Sequence, residues 1–191
     1  MIAAVAILMQ VAVVQPCGDR QNSFRGRTEN DNYGYSVTLP PGIVGCNSGR
    51  PGNQHGVEVV FHEPQDARIE VDGRYNPDYR DLSEAADQHR VWTKKRAVGK
   101  VSFVAAPTLL GSLPAIRTRA EFVARVGKRR LVEEAVLALR PEGNILYAVS
   151  YSSPSDQADR VRWVFEGILE SWHADALRPK DEKPPKPRAD R

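Results

Sequence analysis

The chain has 191 residues, 41% of them hydrophobic and 27% charged, which describes one ordinary globular domain and excludes a polytopic membrane protein. The formal charge of +3 resides in the tail, where residues 176–191 hold six basic and three acidic groups, and the preceding body sums to zero. A sequence isoelectric point of 8.9 is therefore no sign of a nucleic-acid-binding body.

Residues 1–14 read MIAAVAILMQVAVV, apolar except for Gln10. A membrane span needs roughly 20 residues. A shorter run closed by Gln15-Pro16 fits the apolar centre of a signal peptide, expected over residues 1–16. No Lys or Arg precedes the run and no A-x-A site follows it, so a buried N-terminal strand stays open. Cys17 comes next, after a proline that suits a lipobox poorly. The better reading uses both cysteines. A bond between Cys17 and Cys46 closes a loop of about 30 residues, stabilises by roughly 3 to 4 kcal/mol in the chain-entropy model, and needs an oxidising compartment. Lipidation of Cys17 is the second reading, and two free thiols the third if the chain is not exported.

Residues 17–31 are polar and contain glycine, an irregular leader pinned by that bond. Residues 33–39 (YGYSVTL) alternate and stop at Pro40-Pro41-Gly42, a strand closed by a breaker. Residues 43–54 carry Gly45, Gly49 and Gly52 around Cys46 and read as a long loop. Residues 57–62 and 67–71 are two further strands. Over residues 81–92 the spacing predicts a helix, with Leu82, Ala85, Ala86, His89 and Trp92 on one stripe. Residues 100–108 return to β-type side chains. Residues 115–126 and 129–139 then form a long hairpin about Gly127-Lys128. Ile116, Thr118, Ala120, Phe122, Ala124 and Val126 share its core face; Arg117, Arg119, Glu121, Val123 and Arg125 share a largely wet one. After the turn Pro141-Glu142-Gly143-Asn144 comes a strand at 145–151. The last helix is capped by Ser155 or Asp156 and striped by Val161, Val164, Phe165, Ile168 and Trp172. Residues 176–191, with four prolines and nine charges, supply no core and are expected to be disordered. The order β-β-β-α-β-β-β-β-α with short connections predicts an α+β fold, an antiparallel β-sheet with helices packed against it.

Two stretches resemble a known family. Asn32 to Gly42 (NYGYSVTLPPG) is similar to the first-strand signature of PsbP-like proteins. The run LYAVSYSSP at 146–154, with the helix end ILESW at 168–172, is similar to their closing strand and helix. The resemblance covers residues 32 to 172, three quarters of the chain, and defines a domain at 32–175. It implies an α/β/α sandwich that acts by binding, and brings no family-wide catalytic residue.

The residues themselves carry little chemistry. His55 and His62 are seven apart on an extended stretch and face opposite ways, His89 lies on the helix stripe as a packing histidine, and His173 follows the last tryptophan. Glu58 and His62 share a face, a weak metal candidate beside the plain reading of a solvated strand end. No G-x-S-x-G, catalytic cysteine or phosphate loop is present. Basic groups stand at Lys94-Lys95-Arg96 and on the hairpin, where Arg117, Arg119, Arg125, Lys128, Arg129 and Arg130 are the candidate docking surface for an acidic partner. Cross-strand pairing with Glu133 and Glu134 is the competing account. The expected function is an exported, non-catalytic protein-binding module of the cell envelope, in its sharper form an inhibitor or immunity protein. A small-ligand or metal-binding accessory protein of the periplasm is the alternative. The chain is read as a monomer without cofactor or nucleic acid, touching membrane only if Cys17 is lipidated.

Overall fold

The computed structural model describes residues 13–17, 23–48, 55–76 and 79–177. The apolar run at 1–12 and the charged tail from 178 lie outside the described residues.

Two short pieces, β1 (Val13–Val14) and β2 (Ser23–Phe24), precede β3 (Arg27–Asn30), β4 (Tyr35–Thr38) and β5 (Gly45–Ser48). Next come β6 (Gly56–Glu63), β7 (Arg68–Tyr75), α1 (Leu82–Arg96) and β8 (Ala97–Leu110). The chain closes with β9 (Leu113–Ala124), β10 (Arg130–Arg140), β11 (Ile145–Pro154), α2 (Asp159–Ser171) and β12 (His173–Ala174). A nine-stranded antiparallel sheet runs β2-β5-β6-β7-β11-β10-β9-β8, with β1 also against β6; a small sheet runs β12-β4-β3.

Alternation along the strands sorts the side chains to two faces. One face presents Val57, Val59, Ile69, Val71, Val136, Tyr147, Val149 and Tyr151 to the stripe of α2 and to Tyr35, Val37 and Leu39 of the small sheet. The other face is covered by α1, with Ala85 against Ala135 and Leu137. A separate buried group on the neighbouring strands joins Ala97, Ala120 and Phe122. The motifs that resemble the family meet here. Tyr35 stacks on Trp172 with centroids 6.2 Å apart, and Tyr147 stands edge-on to both at 5.7 and 5.0 Å. Ser171 Oγ accepts the Thr38 N–H and donates to the Thr38 carbonyl, both at 3.0 Å, so the helix end is pinned to the first-strand motif. Gly73 admits this arrangement, since a Cβ there would lie 2.8 Å from the Tyr35 ring and 2.9 Å from Tyr33.

Several local expectations change. The loop expected around Cys46 contains a strand, because β5 pairs with β6 through Cys46 opposite Glu58. The leader is not wholly irregular: its residues 23–24 pair with β5 and residues 27–30 with β4. Val13 and Val14, inside the expected signal peptide, pair with Glu63 and Phe61 of β6. Cys17 and Cys46 are disulfide-bonded with Cα atoms 5.5 Å apart, so β1 and β5, which lie end to end along one edge of β6, are joined covalently. Trp92 leaves the helix stripe and is 63% exposed, while Thr93 is buried in its place. The last helix begins at Ala158 without a side-chain cap, so neither Ser155 nor Asp156 serves.

Candidate functional site

The hairpin arginines divide into two groups. Arg117 and Arg119 do not face water freely, because α2 lies over their side of the sheet. Arg117 Nε donates to Glu134 Oε1 at 2.6 Å and its Nη2 to Glu166 Oε1 of α2 at 2.5 Å. Arg119 donates to Glu134 Oε2 at 3.3 Å and to Glu121 Oε1 at 3.0 Å. Glu134 is buried and also accepts the Tyr151 hydroxyl at 3.2 Å, whose oxygen in turn accepts Arg162 Nη2 at 3.2 Å. Arg117, Arg119 and Arg162, with Arg130 at its margin, meet Glu121, Glu134 and Glu166 in one network. A buried carboxylate among so many donors is an internal fastening whose loss strands unpaired charge.

The remaining basic residues gather at one end of the molecule. The Arg125 N–H donates to the Arg96 carbonyl at 2.6 Å, and Val98 pairs with Val123. The hairpin tip thus abuts the C-terminal end of α1. Gly127 and Lys128 turn the tip with φ of 75° and 52°. Here stand exposed Lys94, Lys95, Lys100, Arg125 and Lys128. The carboxylates nearby are already engaged. Glu133 takes Arg96 in a fork at 2.7 and 2.6 Å, Asp66 takes Arg129 at 2.5 Å, and Glu121 takes Arg130 at 3.5 Å. Among the described residues the four lysines have no carboxylate partner. Val126 projects from the tip at 88% exposure, with Val98 and Val123 exposed beside it. The sequence marks Lys94-Lys95-Arg96 as a basic group but does not single out Lys100. The end of α1 and the β8–β9 register bring these groups to the hairpin tip, which no local pattern announces.

A third feature is the bare edge of the long sheet. β8 has β9 on one side and, among the described residues, no strand on the other. Residues 101–110 carry no charge, and Val104 and Leu109 are 63% and 64% exposed, with Ala105, Ala106 and Pro107 also exposed.

The histidines do not converge. His55 stacks on Tyr33 with centroids 5.4 Å apart, and His62 lies exposed near the end of β6. His89 Nδ1 lies 2.8 Å from Thr118 Oγ1 and its ring is edge-on to Phe103. Burial holds the His89 imidazole below the usual histidine range; Glu133 opposes this and Arg96 adds to it. Burial likewise lifts the Glu58 carboxyl, with Glu70 opposite it adding and Arg68 opposing. Asp72 is lifted by burial too, against Arg74 and His55. Among the described residues no three His, Cys, Asp or Glu side chains gather to hold a metal. No helix among them is long and apolar enough to cross a membrane.

No protein-family model and no curated protein sequence matches the chain. Solved structures do. The Ran-binding protein Mog1p of Saccharomyces cerevisiae superposes with a TM-score of 0.54 at 17% identity, over 81% of this chain and 96% of that one. The cyanobacterial PsbP of Synechocystis sp. PCC 6803 superposes with a TM-score of 0.51 at 17% identity, over 84% of this chain and 98% of that one. A mostly antiparallel sheet with a helix on each face, bounded by the aromatic motifs of its first strand and last helix, has the PsbP/Mog1-like fold.

Proposed function

We propose that this chain is an exported, non-catalytic module of the cell envelope that binds a protein. The observation that carries this reading is the bare edge of β8. An isolated domain blunts such an edge with charge, brevity or a covering element. Past the bulge at Gly99-Lys100, Ser102 to Leu110 have no strand on one side among the described residues, and there Pro107 alone has no N–H to offer. A partner strand or loop laid along Ser102–Leu110 would satisfy the backbone groups and cover Val104 and Leu109. The Cys17–Cys46 bond supports export, because such bonds persist in oxidising compartments. The similarity to Mog1p, named as a Ran-binding protein, supports a protein as the ligand. An inhibitor or immunity protein is the sharper form of the same reading.

The test is capture from envelope extract by the immobilised protein and by its Val104→Lys and Leu109→Lys variants. The reading expects one stoichiometric protein held by the wild type and lost from both variants. Retention that ignores both substitutions would overturn the edge as the docking surface.

A further inference from the structure

We propose that the hairpin tip and the adjoining end of α1 form a peripheral docking site for an anionic lipid bilayer, separate from the β8 edge. The charge is uncompensated and local. Lys94, Lys95, Lys100 and Lys128 have no carboxylate partner among the described residues, and the Arg125 guanidinium meets only the Ala97 carbonyl at 3.4 Å. The acids within reach, Glu121, Glu133 and Asp66, are each held by an arginine.

Apolar side chains sit within this basic ring. Val126 is 88% exposed at the apex, and Val98 and Val123, paired across β8 and β9, are exposed beside it. Lipid headgroups match that combination. Phosphates lie in a plane above hydrocarbon, so cations neutralise the first layer while a protruding valine enters the second. A nucleic-acid backbone would reward the lysines and give Val126 nothing. The disulfide occupies Cys17, so this contact needs no acyl chain on that residue. β8 starts at this end with Ala97 and continues to Leu110, which leaves its edge clear of the bilayer for a protein.

The experiment is co-sedimentation of the full protein with vesicles of phosphatidylcholine alone and of phosphatidylcholine mixed with phosphatidylglycerol, at low and high salt. Binding to the mixed vesicles only, weakened by salt, is the expected result. Each lysine replaced in a Lys94→Ala/Lys95→Ala/Lys128→Ala series should cost about fivefold in partitioning. Val126→Ser, which keeps the charge, should weaken vesicle binding and leave retention on heparin unchanged. All four side chains are exposed, and an unchanged melting temperature verifies that the variants fold. No binding to the mixed vesicles at low salt overturns the proposal. So does a Val126→Ser variant that binds vesicles as well as wild type, which would mark the end as a general polyanion contact. Loss of the captured protein in the lysine variants without vesicle binding in the wild type would reassign this end to the protein partner. The β8 variants should sediment with vesicles like the wild type, so the two surfaces fail independently.

Discussion

The two helices cover opposite faces of one sheet by different means. α2 buries Val161, Val164, Phe165 and Ile168 completely, and Phe165 packs edge-on to Tyr151 with centroids 4.8 Å apart. α1 buries two alanines and a threonine. It is held at the sides by the His89–Thr118 contact and by the Arg96–Glu133 fork. One helix is half of the hydrophobic core; the other is a thin cover aligned by polar contacts. Small residues allow close approach but bury little apolar area, so α1 should open before the sheet does. Hydrogen exchange would then be faster in α1 than in α2.

The largest break in this comparison is Phe165→Ala, which should cost about 3–5 kcal/mol in denaturant unfolding. A loss below about 1 kcal/mol would mean that α2 is no more deeply seated than α1. Ala85→Leu should cost about 1–3 kcal/mol by overpacking against Ala135 and Leu137. Stabilisation would show that α1 stands further from the sheet. Asp81→Ala removes the side chain that accepts the Glu84 N–H at 2.9 Å and should cost about 1 kcal/mol. α2, by contrast, has Ala158 at its N-cap and no side-chain cap to remove.

The smallest effect is a pH dependence. Burial depresses the folded-state affinity of His89 for protons, so the unfolded chain binds a proton more readily. The contribution of neutral His89 is fully present above the unfolded value, about 6.5, and is lost as pH falls through it towards the folded value. Glu58 and Asp72, both raised chiefly by burial, act with the opposite sign, becoming less costly as pH falls. Comparing wild type with His89→Gln separates them: the wild type should lose more stability between about pH 7 and pH 5. Equal losses would mean that His89 is solvated when α1 is docked.

Much of the fold is legible in the chain because its markers are large and local. Tyr35, Tyr147 and Trp172 lie far apart in sequence, yet each sits in a short pattern that only one kind of strand or helix end explains. The helix stripe of α2 is equally plain. The short strands were not legible. β5 has no alternation to show, and its pairing follows from the edge of β6 and the bond through Cys46. Arg117 and Arg119 read as a wet face because α2, which covers that face and brings Glu166 to Arg117, comes two strands later in the chain. Trp92 read as core since helical spacing places it one turn after His89, but the covered strip is only wide enough for small side chains. The basic end could not be read locally, because its lysines come from α1, β8 and the hairpin tip and meet only through the β8–β9 register and the contact of the tip with the end of α1.

The small sheet has a consequence for how the chain is delivered. β4 forms early in the sequence, but its outer neighbour β12 and the Trp172 ring that stacks on Tyr35 come from the last described residues. β7 likewise waits for β11, across α1 and three intervening strands. A chain that emerges N-terminus first therefore cannot close its core until the final helix is free. Such delayed closure slows folding. The architecture thus acts as a latch whose last part is also the last to arrive.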